Sequence, residues 1–278
     1  MTVASSLPTA IAFIGGGNMA SAIIGGLIRQ GLSADRIDVV EPFAEARAAL
    51  QRQFGIAALE QPGPQLARAQ LVVWAVKPQT FKEAAQQVAP HAQGALHLSV
   101  AAGIRSDSIA QWLGTERIVR AMPNTPALIG QGMTGLFARA GVSPAERALV
   151  EQVVSTTGAH LWVEQEPLLD AVTAISGSGP AYVFYFLEAM TQAGMDMGLT
   201  REQAHQLSVG TFVGASELAR RSDEPPAVLR QRVTSKGGTT YAAIQSMEGD
   251  GVAQQFMRAL RAAEHRAREL GDEFGSAN

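Results

Sequence analysis

The run Ile11-Ala-Phe-Ile-Gly-Gly-Gly-Asn-Met-Ala20 places Gly15, Gly17 and Ala20 in a G-x-G-x-x-A spacing directly behind an apolar segment. Gly15 permits a tight turn. Gly17 lets the backbone approach a pyrophosphate with no Cβ in the way, and Ala20 allows close packing of a helix on a sheet. Asn18 and Met19 open that helix, whose N-terminus offers free N–H groups and the positive end of its dipole. The chemistry these residues suit is dinucleotide binding. The preceding strand, the following helix and the early position agree with it; a glycine-rich turn without a ligand is the alternative.

Further motifs fall where other strands end. Glu41 closes the second apolar run, 21 residues past Ala20, where an acidic side chain meets adenosine ribose hydroxyls. A carboxylate there favours NAD and repels the extra phosphate of NADP, and the nearest arginine is Arg47; a solvated glutamate at a strand end is the alternative, so both cofactors stay open. Ala75-Val76-Lys77-Pro78 ends the third run; Lys77 is one of three lysines, with Lys82 and Lys236. Its expected place is near the cofactor's phosphates or ribose, the alternative being a snorkelling surface lysine. Ala101-Ala-Gly103 closes another strand. Met122-Pro-Asn-Thr-Pro126 closes the next, and its Asn124 amide could bond the nicotinamide or the substrate.

In the second half, Val233-Thr-Ser-Lys-Gly-Gly-Thr-Thr240 sets glycines and hydroxyls before an apolar-periodic helix beginning near Tyr241. Backbone N–H groups there can converge on an anion, with Ser235, Thr239 and Thr240 as added donors. This suits a small carboxylate; a helix capped by Thr239 or Thr240 is the plainer alternative. The chain has no cysteine, which removes disulfides, thiolate metal sites and a cysteine nucleophile and fits a reducing compartment. His91, His97, His160, His205 and His265 are scattered, no metal-ligand spacing occurs, and no metal is expected.

The elements that must position these residues change character along the chain. Candidate strands at Ile11–Ile14, Ile37–Val40, Leu71–Val76, Leu96–Val100 and Ile118–Ala121 alternate with candidate helices near Asn18–Gln30, Glu45–Phe54, Phe81–Val88 and Ser106–Leu113. Such alternation predicts a mostly parallel sheet covered on both faces, with His160–Val163 as its last strand. From about Pro167 the pattern is helical: Gly179–Met197, Arg201–Arg221, a short segment from Pro225, and Val252–Leu270, with the tail after Gly271 frayed. Gly179–Met197 is apolar almost all round, predicting burial on every side, and a small helical domain hides such a helix poorly. It is expected to pack against another subunit; cover by its own neighbours is the alternative.

The 278 residues, 46% hydrophobic and 17% charged with a net charge of −3, describe an ordinary globular chain and give no reason to expect nucleic acid or an anionic membrane as partner. The N-terminal MTVASSLPTA lacks the pattern of a secretory signal. The uncharged segments Ala121–Ala138 and Ala171–Leu187 are interrupted by proline and glycine and do not read as membrane spans.

Taken in order, IGGGNMA, AVKP, SVAAG, RAMPNTPALIGQGMTG, DAVTAISGSGPAYVF and VTSKGGTT resemble the pyrroline-5-carboxylate reductase family, from residue 14 to residue 240. MPNTP, SGSGPAY and SxGGTT are far more specific than the glycine fingerprint. The resemblance implies an α/β Rossmann-type N-terminal domain, residues 1–165, and an all-α C-terminal domain, residues 166–278, for substrate binding and dimerisation. It implies a homodimer that assembles further, often into a decamer of five dimers, in the cytoplasm. It implies NADPH- or NADH-dependent reduction of 1-pyrroline-5-carboxylate to proline. By the same match Ser235, Gly238, Thr239 and Thr240 hold the carboxylate, Thr240 lies beside the ring nitrogen as the catalytic position, and Glu166 matches a position near substrate in some members. Ser176–Pro180 shapes the helix start and the pocket floor. Lys236 stands where many members have proline, and Glu41 where NADP-preferring members are usually smaller or basic.

A protonated cyclic imine is already electrophilic, so positioning and anchoring matter more than acid–base machinery. This fits the lack of a His–carboxylate pair. A β-hydroxyacid dehydrogenase is a rival reading, but that family's catalytic lysine has no counterpart, since no lysine falls between Lys82 and Lys236. A non-catalytic dinucleotide sensor is the third.

Overall fold

The computed structural model describes residues 8–275. Residues 1–7, part of the stretch read as lacking a signal, and 276–278, the end of the expected frayed tail, lie outside it. The chain divides into two compact units, one of residues 1–178 with 263–278, the other of residues 179–262.

The first unit is a seven-stranded sheet in the order β2-β1-β3-β4-β5-β6-β7. Strands β1 (Ile11–Ile14), β2 (Ile37–Val40), β3 (Leu71–Trp74), β4 (Leu96–Ser99) and β5 (Ile118–Met122) are parallel. β1 and β3 are buried along their whole length and read as continuous apolar runs because helices cover both faces. Those helices are α1 (Asn18–Arg29), α2 (Ala44–Phe54), α3 (Pro78–Val88), α4 (Ser106–Leu113) and α5 (Pro144–Ser155). One face packs Phe13, Ile24, Leu27 and Leu50; the other packs Trp74, Phe81, Ile104 and Ile109. Within the second cluster the Trp74 and Phe81 rings stack with centroids 4.8 Å apart. The Trp74 indole N–H donates to His97 Nδ1 at 3.1 Å, and burial holds the His97 imidazole down at a pKa of about 4.

Two elements escape the sequence pattern. β6 (Gly132–Ala138) runs antiparallel to β5 and parallel to β7 (Gly158–Trp162); its glycines break the apolar run that would announce a strand. Gly132 and Gly158 let β6 and β7 close up, since a Cβ on Gly158 would lie 2.1 Å from the Gly132 carbonyl oxygen. α5 is announced after all by Ser143 and Glu146, which form a reciprocal capping box around Pro144.

The sheet unit continues past residue 165. α6 (Leu168–Val172) and a π-helical turn (Thr173–Gly177) belong to it, because Leu169 is buried and Val172 fills the space where Gly135 has no side chain. The end of the chain also belongs here. The last helix, α11 (Val252–Gly275), continues beyond the expected end at Leu270. Gly103 leaves room for Phe274 and Leu270, Arg105 pairs with Asp272 at 2.6 Å, and the Ser108 hydroxyl donates to the Gly275 carbonyl. These contacts order the turn expected to fray, as far as Gly275.

The second unit is helical: α7 (Gly179–Asp196), α8 (Arg201–Arg221), α9 (Pro226–Arg232), α10 (Thr239–Gly249) and the first part of α11. Edge-on contacts of Tyr182 and Phe186 with Phe256 tie α7 to α11. No residue of α7 is buried, and Phe184, Tyr185, Leu207, Val213 and Leu218 are all more than half exposed. No helix among the described residues is long and apolar enough to cross a membrane.

Candidate functional site

Because β1 to β5 are parallel, the segments that follow them share one edge of the sheet, the edge where ligands bind in open α/β sheets. Gly15–Ala20, Glu41, Ala75–Pro78, Ala101–Gly103 and Asn124 are brought together there, though they do not all face outward.

Gly15 has φ +94°, and a Cβ on it would lie 2.6 Å from the Ala75 carbonyl oxygen, so the first glycine is required both by conformation and by the approach of the β3 end. A Cβ on Gly16 would meet Leu50. Gly17 differs: it is extended, exposed, and a Cβ there would touch nothing of the chain. It is the N-cap of α1 and has no side-chain cap, so the helix start is left open to an outside acceptor. Asn18 is exposed, Met19 half-buried and Ala20 fully buried. A pyrophosphate fits this open, uncapped turn.

Glu41 is buried. Its carboxylate accepts the Gly16 N–H at 2.7 Å and the Phe43 N–H at 2.9 Å, joining the end of β2 to the glycine turn. Lys77 is exposed as the N-cap of α3, and Pro78 follows at the first helical position, where its missing N–H is harmless; Ala75 and Val76 line the turn beside Gly15.

The side chains at the remaining positions are engaged within the chain. Ala101 is buried, and Gly103, at φ +73°, makes room for α11. The Asn124 amide donates to the Ser176 hydroxyl and carbonyl at 3.2 and 3.3 Å, and its oxygen accepts the Met133 N–H at 2.9 Å. These bonds brace β6 against the π-helical turn. Glu166 is similarly engaged: it accepts the Ser106 N–H at 2.6 Å, the Ser106 hydroxyl at 2.5 Å and the Arg120 guanidinium at 2.6 Å. It caps the start of α4 from a distance and neutralises a buried arginine.

The second unit holds the other candidate group. After α9 the chain turns through Gly237, at φ +79°, and α10 opens with Gly238 as its N-cap. Neither threonine is the cap: Thr239 and Thr240 occupy the first turn, both exposed, and no side chain caps the helix. The Gly238 N–H donates to the Ser235 carbonyl at 3.0 Å. A Cβ on Gly238 would lie 2.9 Å from the Ser235 hydroxyl, so the glycine makes room for that hydroxyl at the helix mouth. The uncapped start of α10 thus carries first-turn N–H groups beside the hydroxyls of Ser235, Thr239 and Thr240, donors of the kind that suit a small anion. No cluster of metal-ligating side chains occurs among the described residues.

Residues 166–270 match the family model described as pyrroline-5-carboxylate reductase dimerisation, and residues 10–103 match the model for NADP oxidoreductase, coenzyme F420-dependent. The chain is 47% identical over 267 residues to the pyrroline-5-carboxylate reductase of Pseudomonas aeruginosa, covering 95% of this chain and 98% of that one. It is 39% identical to that of Haemophilus influenzae, covering 94% and 97%. Among solved structures, a pyrroline-5-carboxylate reductase from Coxiella burnetii superposes with a TM-score of 0.89 at 38% identity, covering 94% of this chain and 98% of that one. The Plasmodium falciparum pyrroline carboxylate reductase with NADP bound gives 0.83 at 27% identity, covering 95% and 98%.

Proposed function

The chain belongs to the pyrroline-5-carboxylate reductase family, and on that premise we infer that it reduces 1-pyrroline-5-carboxylate to L-proline, the last step of proline biosynthesis, with NADPH or NADH. The nicotinamide cofactor supplies the hydride. The chain's own residues bind, orient and exclude water. The turn Gly15–Ala20 and the start of α1 take the pyrophosphate, and the backbone of Ala75–Pro78 and Ala101 borders the cofactor at the sheet edge. The α10 mouth takes the substrate carboxylate through its first-turn N–H groups and the hydroxyls of Ser235, Thr239 and Thr240. Thr240 stands beside the ring nitrogen, which is protonated when its carbon receives hydride, so the product is the secondary amine. Holding the reacting carbons at near-attack distance, about 3–3.5 Å, is the main catalytic contribution. What carries this reading is the uncapped Gly238 start of α10 with its hydroxyl set, within a chain alike to known reductases over nearly its whole length.

The match of residues 166–270 to a dimerisation model supports a homo-oligomer; five such dimers in a decamer, acting in the cytoplasm without nucleic acid or membrane as partner, complete the proposal. A functional division at residues 165 and 166 is part of the proposal, supported by the matched segment's start at residue 166, while the compact units themselves divide between residues 178 and 179. Loss of absorbance when 1-pyrroline-5-carboxylate is added to enzyme and reduced cofactor tests the activity. A sensor would bind cofactor and leave it unoxidised. Thr240→Ala lowers kcat/KM by roughly tenfold, the worth of one substrate hydrogen bond; unchanged kinetics in a folded variant refutes that role.

A further inference from the structure

We propose that a cavity at the sheet edge opposite the glycine turn is a second binding site, which takes a small aliphatic carboxylate with its head against His97. The inference is independent of the reductase reading, since its residues belong neither to the glycine turn nor to the α10 mouth.

Strands β1 to β5 are parallel, so the segments that enter them gather at the edge away from Gly15, Ala75 and Gly103. There the segment between α3 and β4 and the segment between α4 and β5 enclose a cavity of about 510 Å³, a size common among small-molecule sites. Its two walls are tied together. The Arg117 guanidinium donates to the Gly94 carbonyl at 2.8 Å, and the His97 N–H donates to the Arg117 carbonyl at 2.9 Å.

His97 lines the cavity from β4 and is only 2% exposed. The Trp74 indole can only donate, so His97 Nδ1 is the acceptor and the neutral ring carries its hydrogen on Nε2. Nothing among the described residues accepts from Nε2. Yet no fully enclosed side-chain nitrogen or oxygen lacks a partner among them, so Nε2 must meet open space, and the cavity is the space His97 lines. A buried N–H aimed into a cavity calls for an outside acceptor. Its hydrogen disfavours a metal ion, which needs a bare nitrogen. Two more donors converge. The Thr115 hydroxyl oxygen accepts the Arg117 N–H at 3.2 Å, leaving its own hydrogen to give, and Gln93 brings an amide. No acidic side chain among the described residues lines the cavity. Donors without a countering carboxylate favour an anionic oxygen head over an ammonium. Pro90, Ala92 and Leu113 supply an apolar wall for the tail.

Saturation-transfer difference NMR on the full-length protein, titrated with hexanoate and with hexylamine, tests the site. Hexanoate binds saturably with a Kd of order millimolar, as about eight non-hydrogen atoms allow. Hexylamine, with the same tail and the opposite head, binds roughly tenfold weaker or worse. His97→Leu and Gln93→Leu each weaken hexanoate roughly fivefold or more, the worth of one hydrogen bond. Thr240→Ala, altered at the α10 mouth, binds hexanoate as the wild type does. Should His97→Leu misfold for want of the Trp74 contact, Gln93→Leu, at an exposed position, decides alone. The proposal is overturned by an absence of saturable binding, by hexylamine binding as well as hexanoate, by binding that the cavity substitutions leave untouched, or by binding lost in Thr240→Ala.

Discussion

Arg120 on β5 and Glu166 beyond β7 meet at 2.6 Å with side chains only 9% and 14% exposed, and the same carboxylate caps α4 through Ser106. Removing one partner of such a pair leaves an uncompensated charge. Glu166→Ala therefore destabilises the fold by about 3–5 kcal/mol, read as a drop in the urea midpoint. Its KM for the imine stays near the wild-type value. A large rise in KM with unchanged stability would return Glu166 to the substrate site.

The glycine turn makes a paired prediction. Gly15→Ala costs about 1–3 kcal/mol from its left-handed backbone alone, with the clash against Ala75 added, and lowers the melting temperature. Gly17→Ala touches nothing in the protein and melts with the wild type, yet loses roughly tenfold or more in cofactor affinity, the worth of one or two charge-assisted hydrogen bonds. Cofactor fluorescence titration beside thermal melts reads both. A Gly17→Ala protein that binds normally would mean no ligand approaches that turn.

His97 couples stability to pH. Its folded pKa, about 4, lies below the ordinary 6.5, so between those values the unfolded chain holds more protons and stability falls as the pH drops. The stabilisation is complete above about pH 6.5 and declines toward pH 4, by of order 3 kcal/mol at most. His97→Asn flattens this dependence in urea melts taken across the window. Parallel curves for variant and wild type would exclude the histidine as the cause.

Phe184 and Tyr185 on α7 are 58% and 70% exposed, side by side on a helix with no buried residue. Phe184→Asp reduces the assembled mass seen by light scattering coupled to size exclusion. An unchanged mass would place the self-association elsewhere on the helical unit.

The parallel strands were legible because burial on both faces turns them into unbroken apolar runs: Ile11–Ile14 and Ile37–Val40 coincide with their observed bounds. β6 was not, since Gly132 and Gly135 serve close approach to β7 and to Val172, and such packing leaves no periodic trace. The glycine turn declared itself through spacing. The duties of Asn124 and Glu166 did not, because their partners Met133, Ser176, Ser106 and Arg120 lie far along the chain. A polar side chain at a strand end looks the same in sequence whether it meets a ligand or braces a neighbour.

The apolar side chains left uncovered on α7 and α8 also tie the fold to mass action. Where burial is completed only by a second copy, each tenfold dilution withdraws stabilisation from every chain. The expected outcome of self-association through these faces is a melting temperature that rises with the protein's own concentration, which melts at two concentrations about a hundredfold apart would read.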